Sequence, residues 1–111
     1  MTFEESTSGD ILVLTVTAGR LAADVSSPFK QALAGYLTQG HRKIVLDMSR
    51  VSFVDSSALG ALIGVLKLVG SDGELALSSL QSNVAAMFKL TRMNKVFRIF
   101  DNRDDAIAAL S

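Results

Sequence analysis

Ile44-Val45-Leu46-Asp47-Met48-Ser49-Arg50-Val51-Ser52-Phe53-Val54-Asp55-Ser56-Ser57-Ala58-Leu59-Gly60 decides the fold class. Lys43 to Asp47 is an apolar run closed by an acid, and it reads as a central strand. Met48-Ser49-Arg50 is a small polar break. Val51 to Val54 reads as a bent continuation of that strand or a short edge piece. Asp55-Ser56-Ser57 then opens a helix to about Val69. Leu59, Leu62, Ile63, Leu66 and Gly70 recur at helical spacing and should pack on the sheet.

The flanks repeat this strand-then-helix order. Upstream, Phe3–Ser6 and Ile11–Thr17 read as strands joined through Ser8-Gly9-Asp10, a short antiparallel hairpin. Ser27-Pro28 reads as the N-cap and first residue of a helix carrying Phe29, Leu33 and Leu37 inward and stopping at Gly40. Downstream, Glu74–Ser78 reads as a strand, and Ser82 or Asn83 caps a helix to about Leu90. Val96–Phe100 is a last strand, and Asp101 or Asn102 caps a closing helix with Ala106, Ile107 and Leu110 inward. Alternation after one hairpin predicts a single α/β domain over residues 1–111. Its sheet should be mixed, of four or five strands, with the first strand at an edge and the helices mainly on one face.

Composition narrows the function. Of 111 residues, 49% are hydrophobic, enough for a core, and Lys+Arg 11 balances Asp+Glu 11. Zero net charge argues against an electrostatic nucleic-acid binder or anionic-membrane binder. With no cysteine and only His41, thiolate or multi-histidine metal sites and a Cys nucleophile are excluded. The acidic opening Met1-Thr2-Phe3-Glu4-Glu5 is unlike a signal peptide, and Ala58–Leu66 is far too short to cross a bilayer. A cytoplasmic setting without membrane insertion is expected.

The segment with chemical potential is Asp55-Ser56-Ser57, at the carboxyl end of a strand, where open α/β sheets place their sites. Asp55 or Ser56 can simply cap the helix. Alternatively, Ser56 is a phosphoacceptor, because free N–H groups and the positive end of a helix dipole would receive a phosphate. Ala58, Ala61, Val65 and Leu68 form a second apolar stripe on the helix. Either neighbouring helices bury it, or it is a docking surface beside Ser56.

Other patterns carry little. Gly35 to Arg42 has the glycine spacing of a P-loop but lacks its Lys-Ser/Thr ending and closes a helix. Gly60-x-x-x-Gly64 matches a membrane dimer motif on too short a helix and reads as close packing on the sheet. Ser56 lacks the glycines of a hydrolase elbow, and His41 should lie at the other end of a strand. Met48, Met87 and Met93 read as core filler. No catalytic residue or cofactor is expected, so the chain reads as a binding module and not an enzyme.

Taken together, these segments resemble the STAS family and, within it, the small bacterial anti-sigma factor antagonists. Ile44 to Gly60 is similar to that family's strand, linker and D-S-[ST]-G-L-G signature. Gly19-Arg20-Leu21 looks like its G-x-L-D corner, and Val84–Phe88 and Val96–Phe100 look like its later helix and last strand. Ala58 stands where the family usually has Gly, and Ala22 where the corner often has Asp. The resemblance implies partner switching. An anti-sigma factor with serine kinase activity binds the unphosphorylated chain, releases its sigma factor and phosphorylates Ser56, and a PP2C-type phosphatase reverses this. The expected partner-binding set is Asp55, Ser56, Ser57, Ala58, Ala61, Val65 and Leu68, with Gly19 and Leu21. The competing reading is a non-switching STAS scaffold, in a signalling assembly or as part of a membrane transporter.

Overall fold

The computed structural model describes residues 3–111; Met1 and Thr2 of the acidic opening lie outside it. Strands β1 (Phe3–Ser8) and β2 (Ile11–Val16) form the expected antiparallel hairpin, with Gly9 at φ +61° in its two-residue turn. The short β3 (Arg20–Leu21) precedes α1 (Ala23–Thr38), β4 (Lys43–Asp47), β5 (Phe53–Val54) and α2 (Ser56–Val69). The chain continues through β6 (Glu74–Ser78), α3 (Ser82–Leu90), a 3₁₀ turn (Met93–Lys95), β7 (Arg98–Phe100) and α4 (Arg103–Leu110).

The main sheet has the order β1-β2-β4-β6-β7, with β1 antiparallel at the edge and every other pair parallel. Alternation in the central strands sorts the core into two layers. Leu12, Leu14, Val16, Ile44, Leu46, Leu75 and Leu77 meet α1, α2 and α3 on one face. Ile11, Val13, Val45 and Ala76 face the other way and receive only Ala106, Leu110 and the flank of Ile107 from α4. The architecture is the expected mixed five-stranded α/β domain with its helices mainly on one side. Met48 is fully buried, and Met87 and Met93 pack against the larger core.

Several boundaries differ from the sequence reading. Helix α1 begins at Ala23, five residues before Pro28, so Pro28 lies inside it and Ser27 is not its cap. The cap comes from elsewhere in the chain, because Asp55 Oδ2 accepts a hydrogen bond from the Ala23 N–H at 3.1 Å. Val51–Val54 does not extend β4; β5 leaves the sheet and pairs with β3 in a separate two-stranded ladder. Gln81 precedes α3, and Asn83 donates its side-chain N–H to the Ser52 carbonyl in place of capping. The last strand starts at Arg98, because the chain first turns through Met93–Lys95 to bury Phe97 against Phe88. Gly64 faces α1 and not the sheet: a Cβ there would lie 2.8 Å from Lys30 Cε.

Candidate functional site

The β3–β5 ladder builds the site. Arg20 pairs with Phe53 and Leu21 with Val54, while the Ser52 and Asp55 N–H groups donate to the Gly19 and Leu21 carbonyls at 2.8 and 3.0 Å. This holds the residue after β5 at the N-terminus of α2. Asp55 then caps two helices at once. Its Oδ1 accepts from the Ala58 N–H at 3.0 Å, and its Oδ2 serves α1 as described. Its carboxylate is thereby committed within the fold.

Ser56 and Ser57 are the first two residues of α2 and both are exposed. Their hydroxyls make no hydrogen bond among the described residues. Their N–H groups come before the first intrahelical donor, so no bond within the helix uses them at the positive end of its 14 residues. Beside them Phe53 is 43% exposed, with the Arg20 guanidinium 4.9 Å from its ring centroid. Phe53 escaped the sequence reading because nothing in Val51–Val54 distinguishes the outward residue of a strand that leaves the sheet.

The expected binding set divides. Asp55, Ser56, Ser57 and Gly19 lie at the surface or partly exposed around this junction. Leu21 is fully buried and anchors the loop from beneath, so it is not part of the exposed surface. The apolar stripe needs correction: Ala58, Ala61 and Val65 are buried in the core, and only Leu68 is open, at 54%. The open face of α2 carries Ser56, Ser57, Gly60, Lys67 and Leu68, which fall within about 120° of one another at 100° per residue, although the Lys30 side chain of α1 reaches over Gly64 within that arc. Gly60 has open space around it, so nothing in the fold requires a glycine there.

A second polar cluster closes the carboxyl ends of the central strands. Thr15, Asp47 and Ser78 stand in register on β2, β4 and β6. Asp47 Oδ1 accepts from the Ser49 N–H at 2.9 Å, and its Oδ2 accepts from Arg103 Nη2 at 2.8 Å and Nε at 3.2 Å. Arg103 Nη2 also donates to Thr15 Oγ1 at 2.6 Å. Burial pushes the Asp47 pKa up, but the Ser49 hydrogen bonds and the Arg103 charge outweigh this and leave it below the usual aspartate value. This cluster is structural: its bonds join β2, β4 and α4 within the chain, and no buried side-chain polar atom among the described residues lacks a partner.

Among the described residues, no group of acids and histidines is placed to hold a metal ion, and no helix is long and apolar enough to cross a membrane. The STAS domain family matches residues 3–106. The chain belongs to the STAS family. A candidate anti-sigma factor antagonist of Thermotoga maritima is 33% identical over 73 residues, and the match spans 65% of each protein's length. BtrV of Bordetella bronchiseptica, a candidate antagonist of the same kind, is 26% identical over 101 residues, 90% of this chain and 87% of BtrV. A crystal structure of a candidate anti-sigma factor antagonist from Thermotoga maritima superposes with a TM-score of 0.87 at 27% identity, covering 97% of this STAS chain and 93% of that one.

Proposed function

We propose that this protein is an anti-sigma factor antagonist whose binding is switched off by phosphorylation of Ser56. The observation that carries the reading is the Ser56 hydroxyl, exposed and unpartnered at the first position of α2, within a family whose named relatives include anti-sigma factor antagonists. The partner is an anti-sigma factor with serine kinase activity, and a PP2C-type phosphatase restores the binding form. The partner covers Phe53, Ser56, Ser57 and the open face of α2. Gly60 supports a close approach there, since a mid-helix glycine costs about 1 kcal/mol relative to alanine and the fold itself does not need it.

The switch follows from desolvation. Free in solution, a phosphate on Ser56 meets the exposed N–H groups of α2 and leaves the fold intact. Under a docked partner the same dianion is stripped of its water. The resulting penalty of about 3–4 kcal/mol weakens binding several hundredfold. The test is titration of the isolated kinase from the same genome against variants, with phosphate mapping by mass spectrometry. Ser56→Ala should bind constitutively and take no label. Ser56→Asp should fold normally and bind weakly, and Ser57→Ala should remain a substrate. Label on Ser57, or wild-type affinity in Ser56→Asp, would replace the switch with the scaffold role.

A further inference from the structure

The far end of α3 carries a feature that the Ser56 face does not use. Ala86, Lys89, Leu90, Arg92, Asn94 and Lys95 line an open groove of about 720 Å³ between the last turns of α3 and the 3₁₀ turn. Leu90 is 85% exposed, the most exposed large apolar side chain among the described residues, and Val96 nearby is 48% exposed. Lys89, Arg92 and Lys95 recur every three residues along the groove, and none is in an ion pair among the described residues. The sequence from Leu75 to Phe100 has no Asp or Glu, although the whole chain is neutral. Arg98, the fourth cation of that stretch, is paired with Glu74. Local bonds hold the rim: Arg92 sits at φ +60°, its N–H donates to the Lys89 carbonyl, and its own carbonyl accepts from the Lys95 N–H.

We propose that this groove receives an acidic segment of a partner protein that inserts one apolar side chain against Leu90 and Ala86. The charge complementarity selects an acidic occupant, and the exposed apolar Leu90 and Ala86 select a side chain over a bare phosphate surface. Three cations on a neutral chain are too few to hold a duplex backbone or an anionic bilayer alone. The first turn of α3 is tied to Ser52 through Asn83, whereas the groove runs from Ala86 to Leu90 and beyond, with Leu90 about 10 Å along the axis from Asn83. The contact is therefore separate from the Ser56 switch and does not depend on it.

The probe is a 12-residue peptide with one central Leu flanked by Glu and Asp, titrated into the ¹⁵N-labelled full chain. Saturable shifts confined to residues 86–96 are expected. Lys89→Glu/Lys95→Glu should weaken binding at least tenfold, as should Leu→Ser in the peptide. Leu90→Ser removes an exposed side chain, so it should keep the native spectrum and lose affinity. Ser56→Asp should bind the peptide as tightly as wild type, which separates this result from the fate of the switch. No saturable shift, equal binding of a Lys-for-Glu peptide, or binding to phosphatidylserine vesicles without peptide binding would each overturn the proposal.

Discussion

Asp55 caps α2, which it directly precedes, and also α1, whose first N–H lies 32 residues before it in sequence. An aspartate before a helix signals a cap in any sequence, and Asp55 was legible as the cap of α2. Its second task was not. Ala22, at the N-cap of α1, has no side-chain acceptor, so the Ala23 N–H had to find one through tertiary structure. A cap is worth roughly 1 kcal/mol, so Asp55→Ala should destabilise the chain by about 2–3 kcal/mol in urea titrations. Asp55→Asn keeps a single acceptor oxygen and should lose about half of that. If Asn matched Asp in stability, one of the two caps would contribute nothing. The exposed Ser56 next to it can change charge without disturbing this arrangement, because its hydroxyl takes no part in it.

At the level of elements, α1 and α2 show where periodicity runs out. Ser27-Pro28 is a strong local start signal, yet α1 runs five residues further back because β3 delivers the chain to Asp55 first. Pro28 then sits where its missing N–H leaves the Asp24 carbonyl without an i+4 donor, and its ring crowds that carbonyl. Pro28→Ala should restore the bond and raise stability by about 1–2 kcal/mol, after allowing for the more flexible unfolded chain. An unchanged or lower urea midpoint would mean that residues 23–27 are not held as helix. In α2 the two apolar stripes were legible, but not which neighbour covers each. The tertiary packing that buries Ala58, Ala61 and Val65 is a long-range fact that spacing within one helix cannot carry. The central strands were easier, since their near-continuous apolar runs mark them as buried on both faces.

Over the whole molecule, the sheet is asymmetric: three helices cover one face, and α4 alone covers the other with Ala106, Leu110 and Ile107. The mixed sheet and its edge hairpin were legible from strand–helix alternation and turn chemistry, whereas the strand order was not. The tie between α4 and the sheet was not, because Thr15, Asp47 and Arg103 are far apart in sequence and each looks ordinary alone. That tie makes stability depend on pH. The Asp47 carboxyl is held below its ordinary value of about 3.9, so its charged form binds better in the folded chain than in the unfolded one. It therefore adds stability at every pH above about 3.9 and loses that contribution as pH falls through the folded value. The gain is on the order of 1 kcal/mol, since Arg103 is 38% exposed and solvent screens the pair. Urea midpoints of wild type and Asp47→Asn should differ by a constant amount at pH 7 and 5, and the gap should shrink from pH 4 to 3. A gap unchanged down to pH 3 would show that the carboxylate does not hold α4. Apolar contacts alone would then keep that helix on the sheet.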